Sequence, residues 1–283
     1  MPTPLVDTLD LALTRRSGGV LPGEHAAPGV GTGTELAQLR PYQPGDDVRL
    51  LDPAATARTR IPHIRLQVPE RILTTWIVLD VSASMGFGTA ARLKSDVAEG
   101  VVLALGRIAT RRGGRVAAIT TGRPQRFLPP RNGRHAGIAL ARMLSEGVEL
   151  DGAGAAPLVP ALHRVGRLAR HPGLVVVVSD FRGEEPFRGP LGQLSARHRV
   201  VAVEVRDPRE LDLPAAGQLA LVDPETGNLM EVDTSSPGIR RRFADAAREE
   251  RAAVAGELRR ARAEHIVLST DSDWLRDLTR SLR

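Results

Sequence analysis

The chain has 283 residues, 42% of them hydrophobic, with a formal net charge of +6 and no cysteine, which excludes disulfides, thiolate metal sites and cysteine nucleophiles. Lys94 is its single lysine, so 38 of the 39 basic residues are arginine, a compositional bias rather than a basic patch. The runs Arg15-Arg16, Arg111-Arg112, Arg240-Arg241-Arg242 and Arg259-Arg260 are scattered, and with aromatics at 3% there are few stacking platforms, which argues against a nucleic-acid partner.

In chain order, Leu5, Leu9 and Leu13 predict a short helix over 4–16, followed by a Gly- and Pro-rich loop over 17–34. Met1-Pro2-Thr3-Pro4 does not open a signal peptide. No segment reaches the ~18 to 20 apolar residues that span a bilayer. The expectation is a soluble, cytoplasmic protein without membrane insertion. Pro44-Gly45-Asp46 predicts a turn. Residues 61–68 alternate, His63, Arg65 and Gln67 against Ile64, Leu66 and Val68, as in a strand exposed on one face.

From residue 72 the pattern becomes strand and helix in alternation. Strands are predicted over 72–81, 115–120, 124–128, 174–179, 200–205 and 265–269. The run Val175-Val176-Val177-Val178 is continuous rather than alternating, which implies burial on both faces. Helices are predicted over 90–110, where Leu93, Val97, Val101, Leu105 and Ile108 fall three or four apart, and over 135–144, 158–168 and 239–263. Ser235 or Ser236 is available to cap the last of these, and a final helix begins at Ser272. Residues 219–222 and 229–232 flank Asp223-Pro224-Glu225-Thr226-Gly227-Asn228 as a hairpin. The expected fold class is α/β, a doubly wound and mainly parallel sheet with helices on both faces, behind a small β-containing N-terminal extension. The expected boundaries are 1–70 for the extension and 71–283 for the main domain, with the hairpin inserted near 217–233.

The chemistry-bearing stretch is Asp80-Val81-Ser82-Ala83-Ser84, which follows the apolar run Ile77-Val78-Leu79. A buried strand there delivers one carboxylate and two hydroxyls into a turn. Such hard oxygen donors suit Mg²⁺ or Mn²⁺ rather than zinc. The C-terminal end of a central strand is also where open α/β sheets bind ligands. Asp and Ser are equally common turn formers and caps, so the motif alone leaves both readings open. Ser179-Asp180 ends a second buried strand, and Asp80 and Asp180 would share one rim if the two strands are neighbours.

This arrangement resembles the metal-ion-dependent adhesion site of von Willebrand factor A domains. The resemblance implies a cation held by Asp80, Ser82, Ser84 and Asp180, to which a partner adds an acidic side chain. The family's third-loop threonine falls on Ala156, which cannot ligate. A second resemblance lies in Arg40-Pro41-Tyr42, Pro44-Gly45-Asp46-Asp47-Val48-Arg49, Asp52 and Ala57-Arg58-Thr59. These residues resemble the signature of bacterial von Willebrand factor A-like proteins of unknown function that are often encoded beside a MoxR-type AAA+ ATPase. The signature residues Arg40, Tyr42, Gly45, Asp46, Arg49, Asp52 and Arg58 are expected to be structural, with arginines and aspartates forming a lattice of ion pairs.

The resemblance implies a non-catalytic interaction module, an adaptor of such an ATPase in chaperone-like remodelling. The alternatives are a metal-free scaffold of the same fold and a metal-dependent hydrolase. Against the last, the seven histidines show no ligand spacing and none adjoins the Asp80 loop in sequence.

Overall fold

The computed structural model describes residues 35–68, 73–111, 113–149, 157–183 and 186–282. The expected helix over 4–16, the loop over 17–34 and the stretch from Asp151 to Ala156 lie outside the described residues. Residues 35–68 belong to one compact unit and the described residues from Leu73 onward to a second.

In the smaller unit, β1 (Glu35–Pro41) pairs antiparallel with β2 (His63–Val68). The predicted turn forms between them, with Gly45 at φ +106°, a conformation that favours glycine. The helix α1 (Pro53–Thr59) was not anticipated. Asp52 caps it by accepting from the Ala55 amide at 2.9 Å, and Pro53 occupies the first helical position. Asp52 also accepts from Arg65 Nε at 3.0 Å. The Ala55 amide, with help from Arg65, holds its carboxyl below the usual range. Arg40 grips Asp46 through two bonds of 2.8 and 2.7 Å, while the Gln43 amide donates to the same carboxylate. Tyr42 contributes through its backbone, donating to the Pro62 carbonyl at 2.8 Å. The expected lattice is therefore two local fastenings, Arg40–Asp46 and Asp52–Arg65. Arg49 and Arg58 make no ion pair with another described residue, and Asp47 accepts from the Arg49 amide instead.

The larger unit is built on six strands: β3 (Thr74–Leu79), β4 (Arg115–Thr120), β5 (Phe127–Arg131), β6 (Leu174–Ser179), β7 (Arg199–Arg206) and β10 (Glu264–Ser269). Their order is β10-β7-β6-β3-β4-β5, parallel except for the antiparallel edge strand β5. This edge lies three residues later than the predicted strand over 124–128. Pro129 and Pro130 fit it, because an edge strand can lack ladder donors on one side. Successive residues of the central strands enter two different cores. Ile77, Leu79, Val176 and Val178 pack against α2 (Lys94–Arg111), α3 (Gly133–Leu144) and α7 (Trp274–Ser281). Trp76, Val78, Val175 and Val177 face α4 (Leu158–Leu168), α5 (Arg188–Ser195) and α6 (Pro237–Arg260). That two-sided burial explains why these strands read as unbroken apolar runs.

Some details depart from the expectations. Leu93 precedes α2 and is exposed, while Val97, Val101, Leu105 and Ile108 are buried as predicted. Ser236 stands at the N-cap of α6 without a side-chain cap bond. The short α5 went unread because Gly189, Pro190 and Gly192 hide its periodicity; Leu191 and Leu194, both buried, hold it in place. The hairpin forms as expected from β8 (Gln218–Val222) and β9 (Leu229–Asp233).

Candidate functional site

From β3 the chain passes to β4 on one side, and from β6 to β7 on the other. The sheet thus reverses its winding between β3 and β6, and a crevice opens beyond their carboxyl ends. Leu79 pairs with Val178 in that register, and the Asp80 amide donates to the Val178 carbonyl at 2.9 Å. Asp80 and Asp180 are therefore delivered to one rim, both buried.

Asp80 is held by three donors in its own neighbourhood. The Ser82 amide reaches Oδ1 at 2.9 Å and the Thr121 hydroxyl reaches the same oxygen at 3.2 Å. The Ser179 hydroxyl donates to Oδ2 at 2.5 Å, and Thr121 also accepts the Val81 amide, which fixes the start of the loop. No cation bonds this carboxylate among the described residues. Burial first, and then the charge of Asp180, push it up to about 6.

Asp180 has the opposite electrostatics. Lys94, fully buried at the start of α2, donates to Asp180 Oδ2 at 2.6 Å and to Glu210 Oε1 at 2.7 Å. Burial alone would raise Asp180, but the Lys94 charge and hydrogen bond outweigh it and hold the carboxyl below its usual range. Behind this pair lies a charged network. Arg251 donates to the Asp180 carbonyl at 2.8 Å, to Glu204 at 2.9 Å and to Glu210 at 3.2 Å. Arg206 and His265 complete the ring around Glu204.

The two hydroxyls of the motif, Ser82 Oγ and Ser84 Oγ, lie 3.0 Å apart. Ser84 also turns its amide toward the hairpin: it donates to Glu225 Oε1 at 3.1 Å, a contact across 141 residues of sequence. The other oxygen of that carboxylate, Glu225 Oε2, is buried without a hydrogen-bond partner among the described residues.

The structure thus brings together all four of the expected residues, Asp80, Ser82, Ser84 and Asp180, but divides their roles. Asp180 is neutralised by Lys94, whereas Asp80 has no counter-charge of its own. Among the described residues no three His, Cys, Asp or Glu side chains gather as a metal cluster, so hydroxyls have to contribute to any donor set. A buried carboxylate lacking a counter-ion beside two facing hydroxyls fits a hard cation. Asp80, Ser82 and Ser84 are the residues that would hold it, with Asp180 beside them. None of the described histidines hydrogen-bonds to Asp80, Ser82 or Ser84; His265, for instance, is engaged by Glu204.

Sequence reasoning missed Lys94, Thr121, Glu204, Glu210, Glu225 and Arg251. Two signals were available. Glu204 is a charged residue inside the apolar run Val200–Val205, and such a residue demands a partner. The chain's single lysine stands ten residues after the second serine of the motif, at the first turn of the following helix.

Among the described residues no helix is long and apolar enough to cross a membrane. Two mycobacterial proteins, the uncharacterized proteins Rv1480 of Mycobacterium tuberculosis and Mb1516 of Mycobacterium bovis, are each 39% identical to this chain over 274 residues. The match spans 96% of this chain and 86% of each relative. The crystal structure of the conserved hypothetical protein BatB from Bacteroides thetaiotaomicron is similar at 15% identity, with a TM-score of 0.47 over 74% of this chain and 97% of that one. A von Willebrand factor type A structure from Catenulispora acidiphila is similar at 13% identity, with a TM-score of 0.40 over 74% of this chain and 42% of that one. With residues 38–253 matching the family of proteins of unknown function DUF58, and relatives 39% identical over 96% of this chain, the chain belongs to that family.

Proposed function

We propose that this protein is a non-catalytic interaction module that docks an acidic side chain of a partner at the rim formed by Asp80, Ser82 and Ser84, with Mg²⁺ or Mn²⁺ held there, and that the partner is a MoxR-type AAA+ ATPase. The observation that carries this reading is the uncompensated Asp80 carboxylate beside two hydroxyls 3.0 Å apart, at the point where the sheet reverses its winding. A bound divalent cation would supply the positive charge that receives a partner's carboxylate. The chain's own residues do the rest. Thr121, Ser179 and the Ser82 amide fix the orientation of Asp80. The Lys94–Asp180 pair, tied into the Arg251 network, keeps the second strand end rigid.

The test is a calorimetric titration of Mg²⁺ and Mn²⁺ into the wild type and Asp80→Ala, followed by binding of the purified ATPase with and without a chelator. Saturable metal binding lost in the variant, together with chelator-sensitive ATPase binding, is expected. ATPase binding that is indifferent to both the chelator and Asp80→Ala would defeat the docking mechanism.

One observation favours a second reading, a metal-free scaffold of the same fold. Lys94 already places a positive charge on Asp180, so this half of the rim is satisfied by a side chain. Wild-type protein that binds neither ion and binds the ATPase equally with or without chelator would select that reading.

A further inference from the structure

The hairpin β8–β9 reaches the rim through its turn. Within that turn the backbone is set by its own bonds: the Glu225 amide and the Thr226 hydroxyl both donate to the Asp223 carboxylate, and Gly227 donates to the Asp223 carbonyl. These bonds leave the Glu225 side chain free to reach out to the Ser84 amide. Two carboxylates therefore flank one loop. Asp80 takes the Ser82 amide and Glu225 takes the Ser84 amide of a loop whose two hydroxyls lie 3.0 Å apart. Leaving a buried carboxylate oxygen without a partner carries the full desolvation cost of that atom, and such atoms are rare in native proteins. Glu225 Oε2 is one of them.

Resting on the reading that this rim takes a divalent cation, we infer that Glu225 is the cation's in-chain carboxylate and stands where a partner's carboxylate would otherwise dock. Two observations converge on this assignment. Its Oε1 is positioned by the same loop that carries both serines. Its Oε2 is buried and unsatisfied. The inserted hairpin then acts as a tethered first occupant, which an incoming acidic side chain has to displace.

The test uses the full chain and Mn²⁺ alone as the probe. Calorimetry is run on the wild type, Glu225→Gln and Glu225→Ala, with hydrogen exchange of the 223–228 turn measured with and without Mn²⁺. Gln keeps an acceptor for the Ser84 amide but removes the charge, so a purely structural anchor survives in it. The expected result is at least a tenfold loss of Mn²⁺ affinity in Glu225→Gln as well as in Glu225→Ala. Mn²⁺ should slow exchange in the turn of the wild type and not in that of Asp80→Ala. Wild-type affinity in Glu225→Gln, or turn exchange indifferent to Mn²⁺ in a wild type that binds it, overturns the inference while leaving the cation site standing. A wild type that binds no Mn²⁺ overturns both.

Discussion

Lys94 Nζ lies 2.6 Å from Asp180 Oδ2, with both side chains fully buried. A buried ion pair adds little net stability against an apolar pair, but removing one partner leaves an unpaired charge in the interior. Lys94→Met should therefore destabilise the protein by about 3 to 5 kcal/mol, measured by urea unfolding at pH 7. Glu210 keeps contacts from Arg251 and Arg182, so Asp180 is the group left exposed to this cost. The double variant Lys94→Met, Asp180→Asn should recover a measurable part of the loss. Equal destabilisation in the single and double variants would show that the pair is not the source.

Asp80 presents the reverse problem, a carboxylate with hydrogen bonds but no counter-charge. Its pKa in the folded chain, about 6, lies above the unfolded value near 3.8. Between those values the folded state holds the extra proton, so stability falls as pH rises from about 4 through about 6. In a chelator, Asp80→Asn should raise the unfolding midpoint at pH 7.5 and give no gain at pH 4. The linkage ceiling is about 3 kcal/mol, and re-pairing of the Ser179 and Thr121 hydroxyls should reduce the observed gain to ~1 to 2 kcal/mol. A variant less stable than wild type at pH 7.5 would mean that the hydrogen bonds outweigh the buried charge.

Much of this fold was legible because the strands carry their own signal. Val175 to Val178 and Ile77 to Leu79 face two cores at once, so their apolar runs are uninterrupted and their strand ends easy to place. The aspartates at those ends were readable for the same reason. What could not be read is what depends on tertiary contact. Lys94, Glu210 and Arg251 converge from three separate segments, and no local spacing encodes that. Glu225 sits in a turn whose sequence announces only the turn; its reach to Ser84 is a product of where the hairpin docks. Within the small unit, Asp52 reads from sequence as one member of a lattice of ion pairs with the signature arginines. In the fold its side chain is claimed by the α1 cap and by Arg65 on the paired strand. The helix α5 shows the same limit, since two glycines and a proline lower its intrinsic propensity and only the packing of Leu191 and Leu194 decides its state.

The helix α7 docks on α2 at Gly100, where a Cβ would fall 2.4 Å from Trp274 Cζ2 and 2.8 Å from Cη2. Alanine is the better helix former by ~1 kcal/mol, so an exposed glycine here would gain from the change. The overlap with an indole ring should reverse the sign, because overpacking costs ~1 to 3 kcal/mol. Gly100→Ala is thus expected to lower the unfolding midpoint and shift the Trp274 emission, read in a Trp76→Phe background. A higher midpoint with unchanged emission would show that the ring yields without cost.

The acid limb of stability should be governed in part by Glu204. Burial pushes this carboxyl up, but hydrogen bonds from His265 and Arg206 and the charges of Arg206 and Arg251 outweigh it and hold the group at about 2. The folded value is thus depressed below the unfolded value near 4.5. Its contribution is present above about 4.5 and is lost as pH falls toward 2, with a linkage magnitude of ~3 kcal/mol. Glu204→Gln removes the titrating group and takes away the carboxylate charge that Arg206 and Arg251 share. The stability gap between wild type and variant should be largest at pH 6 to 7 and narrow steadily below pH 4.5, followed by urea unfolding at pH 7, 4.5 and 3. A gap that stays constant across those three points would mean that Glu204 acts through packing alone and that its ionisation is not linked to folding.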